Sequence, residues 1–107
     1  MAEAGDSSLE ALLQAARAEF GRSVAAKMAE LEAMVEQGEW PGARRAAHKL
    51  CGSSGIYGFS ALGAAAAALE EVLIASGNSP DAGARANIRA RLDEMRAEAN
   101  RPPPETP

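Results

Sequence analysis

His48 is the only histidine in this chain of 107 residues, and the residues around it suit chemistry at an imidazole. A neutral imidazole nitrogen has a lone pair that can act as a nucleophile or as a base near neutral pH. Arg44, Arg45 and Lys49 lie within about one helical turn of it, which makes the local surface basic. The spacing predicts a reactive histidine, and the competing interpretation is an ordinary solvated surface histidine.

Two glycines, Gly52 and Gly55, follow His48 at helical spacing. Each costs a helix roughly 1 kcal/mol relative to alanine, so their presence on the face of the histidine needs a reason. One reason is that the missing side chains let another molecule approach the imidazole closely. The other is that the Gly-Ser-Ser-Gly run ends the helix early, and the sequence leaves both interpretations open.

The helix that carries His48 is predicted by an apolar stripe at steps of three and four. Pro41 suits its first turn and Gly58 its end. His48 lies about 160° around the axis from Leu50, so a buried Leu50 leaves the imidazole in water. The inward stripe consists of Trp40, Ala43, Ala47, Leu50, Ser54 and Tyr57.

Three further stripes predict three more helices. The first helix is expected near residues 8 to 37, with a capping box at Ser7 and Glu10 and a left-handed Gly38 after its end. The third begins at an N-cap Ser60 and ends at Ser76-Gly77-Asn78, and the fourth begins at Ser79-Pro80 and ends near Asn100. Their apolar residues are Leu9, Leu12, Leu13, Ala16, Phe20, Val24, Met28, Leu31 and Val35, then Leu62, Ala65, Leu69, Val72 and Leu73, then Ala84, Ile88, Leu92, Met95 and Ala99.

These stripes and the short connections between them predict an all-α fold, an antiparallel four-helix bundle over residues 1 to 100. Residues 101 to 107 include four prolines and are expected to form a disordered tail. In such a bundle, residues equally far from a hairpin turn lie level. His48 and Glu70 are each eleven residues from position 59, so Glu70 is a candidate hydrogen-bond partner for one ring nitrogen, or else a solvated carboxylate beside Glu71.

The composition argues against several classes of protein. A net charge of -4 argues against a nucleic-acid binder, and neither a signal segment nor a long apolar run is present, so we expect a cytoplasmic protein without a membrane segment. Cys51 is the only cysteine, which excludes an internal disulfide and a cysteine-rich metal site. We expect no metal in this chain.

The segment Ala47-His48-Lys49-Leu50-Cys51-Gly52-Ser53-Ser54, with Gly58, Leu62, Leu69 and Glu70 beyond it, resembles the signature of histidine-containing phosphotransfer (HPt) domains. That signature reads H-x-L-K-G-S-S, then G, L and L-E, and the resemblance extends from about Leu9 to Met95. One position departs from it, because Cys51 stands where the family usually has lysine. We interpret Cys51 as a small neutral residue rather than a reactive thiol, with Arg44, Arg45 or Lys49 as alternative sources of positive charge.

The resemblance implies a phosphorelay intermediate in which His48 accepts a phosphoryl group from the aspartate of a response-regulator receiver domain and passes it on. It implies docking over Gly52 and Gly55, a role for Glu70 at the imidazole, and receiver domains and a hybrid histidine kinase as partners. Mg²⁺ is expected on the receiver, with no cofactor in this chain, which we expect to be a monomer. No nucleotide-binding motif is present, so the chain is expected to be a carrier rather than an enzyme. The alternatives are a non-catalytic bundle that docks without carrying phosphate and, more weakly, a dimeric sensor-kinase bundle.

Overall fold

A computed structural model describes residues 2–101, the first six of them by their backbone alone. The chain forms four α-helices in this range, and no strand occurs among the described residues: α1 spans Ala2–Glu36, α2 Trp40–Ile56, α3 Ser60–Ser76 and α4 Ala82–Ala99. The predicted all-α four-helix bundle is confirmed. Residues 102–107, where most of the predicted disordered tail falls, lie outside the described residues. None of the described helices is both long and apolar enough to cross a membrane.

The core is made by one face of each helix, because the apolar side chains recur at steps of three and four. In α2 the buried residues are Trp40, Ala43, Ala47, Leu50 and Ser54, as the sequence predicts, while Tyr57 is partly buried beside the core. In α3, however, Ala66 is fully buried and Ala65 only partly. Helix α2 packs against α1 and α3, and α4 packs against α3 and α1, with an ion pair between Glu32 and Arg96 joining α1 to α4.

Glycines in the left-handed region separate the helices. Gly38, Gly58 and Gly77 have φ values of 72°, 81° and 66°, which residues that carry a side chain rarely adopt. The predicted ends of the first three helices are therefore confirmed. The turn at Gly58 matters most for the site, since it reverses the chain between α2 and α3 and brings the two helices alongside each other.

Three predicted helix starts are wrong. Helix α1 runs through Ser7 rather than starting there, because the preceding alanines and glutamate are good helix formers. Ser60 is the first residue of α3, and Phe59 occupies the cap position without a side-chain hydrogen bond. Helix α4 is capped by Asp81, whose Oδ1 accepts a hydrogen bond from the Ala84 amide at 2.8 Å, and not by Ser79. Asp81 is the stronger cap because it is charged at a helix N-terminus.

The beginning of the α1 stripe is not part of the core. Leu9, Leu12 and Leu13 are 58%, 68% and 50% exposed, whereas Phe20, Val24, Met28 and Leu31 are buried and Val35 is partly buried. The reason is length: the 35 residues of α1 span about 52 Å, and the 17 residues of α2 or α3 about 26 Å. The shorter helices cannot cover the whole of α1, so the sequence pattern overestimates the core at this end.

Candidate functional site

His48 projects into solvent from the middle of α2. Its side chain is 75% exposed, while Leu50, on the opposite face of the same helix, is 3% exposed. The predicted orientation therefore follows from the burial of Leu50 together with Ala47 and Ala43. The helix is anchored by that inner face, and the imidazole is held on a rigid element rather than on a loop.

Glu70 contacts the imidazole from α3. Its Oε2 lies 2.9 Å from His48 Nδ1, and its side chain is only 23% exposed. An ionised carboxylate can only accept a hydrogen bond, so this pair requires a proton on Nδ1, and in a neutral imidazole the lone pair is then on Nε2. The two residues are 22 positions apart in the sequence, and the register of the hairpin between α2 and α3 brings them together.

A groove between α1 and α2 flanks one side of His48. Its volume is about 650 Å³, and Arg45, Lys49 and Gly52 line it from α2. Helix α1 contributes Lys27, Met34 and one carboxylate, Glu30, which the sequence reasoning did not single out because they lie just beside the core stripe of α1. The exposed Ile56 lies at the same groove, which therefore combines positive charge with an apolar surface. We call it the α1 groove.

The other side of His48 faces α3 and differs from the α1 groove. Arg44 donates from Nη2 to Asn78 Oδ1 at 3.1 Å, across to the turn between α3 and α4. Cys51 is half-buried against α3. The sequence spacing groups Arg44 with Arg45. In the structure, however, the two residues lie on opposite sides of the imidazole.

Gly52 and Gly55 face open space. A Cβ built on either glycine would have no atom within 4 Å outside its own helix and immediate neighbours. The helix also continues past both, to Ile56, so the glycines do not end it early. Packing within the chain therefore does not explain the absence of side chains at these two positions.

A larger cavity than the α1 groove lies elsewhere. Its volume is about 850 Å³, and it lies at the Gly58 end of the bundle, lined among others by Arg17, Phe59 and Arg101. It holds neither His48 nor Glu70. We place the candidate site at the imidazole because the nucleophile, its carboxylate partner and the positive charges converge there.

Comparison with known proteins identifies one family for most of the chain. The family model described as "Hpt domain" matches residues 7–98, which include all four helices almost completely. No curated protein and no solved structure matches the chain. Because the family model covers most of the sequence, the chain belongs to the Hpt-domain family.

Proposed function

We propose that this protein is a phosphorelay intermediate that accepts a phosphoryl group on His48 from a receiver-domain aspartate and passes it to another receiver. Membership of the Hpt-domain family supports the general role, which is phosphotransfer in two-component signalling by a phosphocarrier rather than by a classical enzyme. The observation that supports the finer proposal is the contact of 2.9 Å between His48 Nδ1 and Glu70. In the neutral imidazole this contact places the lone pair on Nε2, and the side chain that carries it is exposed.

The contact supports transfer through Nε2. The Nε2 lone pair forms the new N–P bond while the P–O bond to the receiver's aspartate breaks, and the electron pair of that bond leaves with the carboxylate. The ring keeps its Nδ1 proton and gains a positive charge, which the Glu70 carboxylate faces at hydrogen-bond distance. Onward transfer is the reverse of this step with a second receiver.

The surroundings fit a phosphorylated partner. Positioning and charge neutralisation dominate phosphoryl transfer, so a carrier needs an accessible nucleophile more than an enclosed pocket. Open space over Gly52 and Gly55 gives that access, and the positive groups of the α1 groove suit an acidic receiver surface. Mg²⁺ is expected in the receiver, where it neutralises the transferring group.

The test is label transfer from a panel of purified, phosphorylated receiver domains. Because His48 is the only histidine, any phosphohistidine in the chain is on that residue. We expect an acid-labile, alkali-stable adduct on the natural chain with at least one receiver, and none on His48→Gln. Full labelling of His48→Gln would contradict the assignment. Binding of receivers without labelling of the natural chain would instead support a non-catalytic docking bundle.

The role of Glu70 has its own matched pair of variants. Glu70→Gln loses the charge that faces the ring, and a hydrogen bond to a charged group is worth about 1.5–3 kcal/mol, so transfer should slow by about 10- to 100-fold. Glu71→Gln removes the same charge from the neighbouring exposed position and should change the rate by less than about twofold. Equal effects of the two variants would contradict a specific contact.

A further inference from the structure

The first part of α1 has an apolar stripe that the rest of the bundle does not cover. Every residue from position 8 to position 15 is exposed, and Phe20 is the first one beyond them to be buried. Leu9, Leu12 and Leu13 nevertheless lie on the same broad face as Phe20, because they continue its spacing of three and four residues. A contiguous apolar patch on a protein surface commonly marks contact with another molecule. We call residues 8–17 the α1 arm.

Two opposite charges border this stripe along one edge. With about 100° between successive residues of a helix, Glu10 and Arg17 both project about 90–110° from the centre of the stripe, and in the same direction. They are about 10 Å apart along the helix axis. Arg22 is paired with Glu19 at 2.8 Å, whereas neither Glu10 nor Arg17 has an ion-pair partner among the side chains that the structure describes.

This charge pattern is complementary to itself in one orientation. When a second copy of the arm lies antiparallel across a twofold axis, the same edges of the two helices meet. If the axis passes between positions 13 and 14, Glu10 of each copy is level with Arg17 of the other, and two opposite-charge pairs form. A parallel pair would instead place Glu10 beside Glu10 and Arg17 beside Arg17, which is repulsive.

The apolar residues fit the same register. Leu12 and Leu13 of the two copies meet at the centre of the pair, and Leu9 of each copy lies within one turn of the level of Ala16 of the other. Large side chains thus face small ones, which lets helices pack closely. The end of the bundle also leaves room beside the arm, since the cavity of about 850 Å³ lies next to Arg17.

The charges argue against a membrane surface as the occupant of this stripe. The sequence contains no lysine or arginine before Arg17, and its acidic residues there are Glu3, Asp6 and Glu10. Helices that lie on membranes have polar faces rich in lysine and arginine, which are attracted to anionic lipids. A second copy of the arm matches both the apolar stripe and the two charges at its edge.

We propose that the α1 arm is a self-association surface, through which two copies of this chain form an antiparallel pair with Glu10 of each beside Arg17 of the other. The result is a dimer in place of the monomer that the sequence leads us to expect. The pairing does not depend on phosphate. His48 lies ten residues before Gly58, about 15 Å along α2 from this end of the bundle, so both histidines of the dimer stay accessible to receivers.

Sedimentation equilibrium of the natural chain tests the dimer. Because interfaces below the standard size are commonly weak, the concentrations should cover about 1–500 µM. Leu13→Glu buries a charge at the centre of the pair and should weaken association by at least about tenfold. Ile74→Glu is the matched control, since Ile74 is 62% exposed on α3, and it should leave association unchanged. A natural chain that is monomeric throughout, or a dimer that Leu13→Glu leaves intact, would overturn the proposal.

Cross-linking between copies tests the orientation. With Cys51→Ser as the background, Leu13→Cys should form a disulfide between copies under mild oxidation, because the two positions are about 1.5 Å apart along the axis. Leu9→Cys in the same background should not, since the two positions are about 13 Å apart in the antiparallel pair. Efficient cross-linking of both variants would indicate a parallel pair and overturn the proposed arrangement.

Exchange of the charges tests the pairing of Glu10 with Arg17. Glu10→Arg and Arg17→Glu should each weaken association by about three- to tenfold, because both ends of the pair become repulsive. The double variant restores opposite charges at both ends and should associate within about twofold of the natural chain. Single variants that associate as tightly as the natural chain would overturn the register. Thermal unfolding of every variant checks that the fold is retained.

Two further measurements separate this inference from a membrane role and from the proposed function. In flotation with phosphatidylglycerol vesicles, the natural chain should stay unbound; binding by a monomeric chain that Leu13→Glu abolishes would assign the arm to membranes and overturn the dimer. Leu13→Glu should accept label from a competent receiver at the natural rate, which supports a pairing remote from His48. A natural chain that dimerises but takes label from no receiver would overturn the proposed function and support this inference independently.

Discussion

The two faces of α2 differ in whether packing within the bundle explains the residues that they carry. On the inner face, Ala43, Ala47, Leu50 and Ser54 are between 0% and 3% exposed, and each contacts the rest of the bundle. On the outer face, His48 is 75% exposed, and Gly52 and Gly55 border open space. Packing within the bundle thus explains the residues on the inner face of α2 but not those on its outer face.

A third glycine faces a neighbouring helix. A Cβ on Gly63 in α3 would lie at ordinary contact distances, 3.4 Å from Ser54 Cβ and 3.5 Å from the Cys51 carbonyl oxygen, so this position belongs to the contact between α2 and α3. Gly52 has no such neighbour. Gly63 therefore faces the interior of the bundle, whereas Gly52 is open to the partner that we propose.

Truncation on the inner face should destabilise the bundle. Leu50→Ala removes a side chain that is 3% exposed, and such changes cost about 2–5 kcal/mol of the free energy of unfolding. Chemical denaturation measures the loss. Lys49→Ala, the exposed neighbour, should change stability by less than about 0.5 kcal/mol. A Leu50→Ala chain as stable as the Lys49→Ala chain would contradict the packing of this face.

The fold could be predicted from sequence where helices cover each other, and less well where they do not. The α2 stripe was correct from Trp40 to Ser54 because both α1 and α3 pack against the inner face of α2. The leucines at Leu9, Leu12 and Leu13 have the same periodicity, but periodicity does not tell how long the neighbouring helices are. The helix starts were wrong at Ser7, Ser60 and Ser79 because serine is compatible with caps, with helix interiors and with turns, and the surrounding chain decides among these.

The candidate site was predictable to the extent that it depends on one helix or on a hairpin register. His48 faces water because Leu50, on the opposite side of α2, faces the core. The position of the turn between α2 and α3 places Glu70 level with His48. The difference between Arg44 and Arg45 was not predictable, because adjacent residues on a helix point about 100° apart and their partners come from other elements. Asn78 and Lys27 were missed for the same reason: each lies on a different element from the histidine.

Bulk on the outer face should block transfer without affecting the fold. Gly52→Gln places a side chain in open space one turn from His48, so transfer from a receiver should slow by at least about tenfold, or about 1.4 kcal/mol. Gly83→Gln, on the exposed first turn of α4, is the matched control and should transfer normally. The measurement is the rate of label transfer together with thermal unfolding. An unchanged rate for Gly52→Gln would mean that no partner approaches there.

A polar atom on the inner face should be dispensable for stability. Ser54 is fully buried, and its hydroxyl has no hydrogen-bond partner within the described part of the chain. Since a buried hydroxyl without a partner is unfavourable, Ser54→Ala should raise the free energy of unfolding by about 1 kcal/mol. Ser53→Ala, at a half-exposed position beside it, should have little effect. A loss of stability in Ser54→Ala would show that the hydroxyl makes a contact in solution.

The smallest expected effect concerns steering by the α1 groove. Arg45 is exposed there with Lys49 and Lys27, so we expect its charge to act on an acidic partner before contact rather than on the fold. Arg45→Ala should lower the association rate with a receiver by about threefold at low ionic strength, and by much less at about 0.5 M salt, where screening removes interactions beyond a few ångströms. Stopped-flow binding at both salt concentrations measures this, with Arg89→Ala on α4 as a control of equal charge. Because the effect is electrostatic and acts at a distance, it should appear in the association rate and leave the dissociation rate nearly constant. A loss that persists at high salt would show instead that Arg45 makes a direct contact in the complex, and the outer face of α2 would then bind its partner through that arginine as well as through the open space at Gly52.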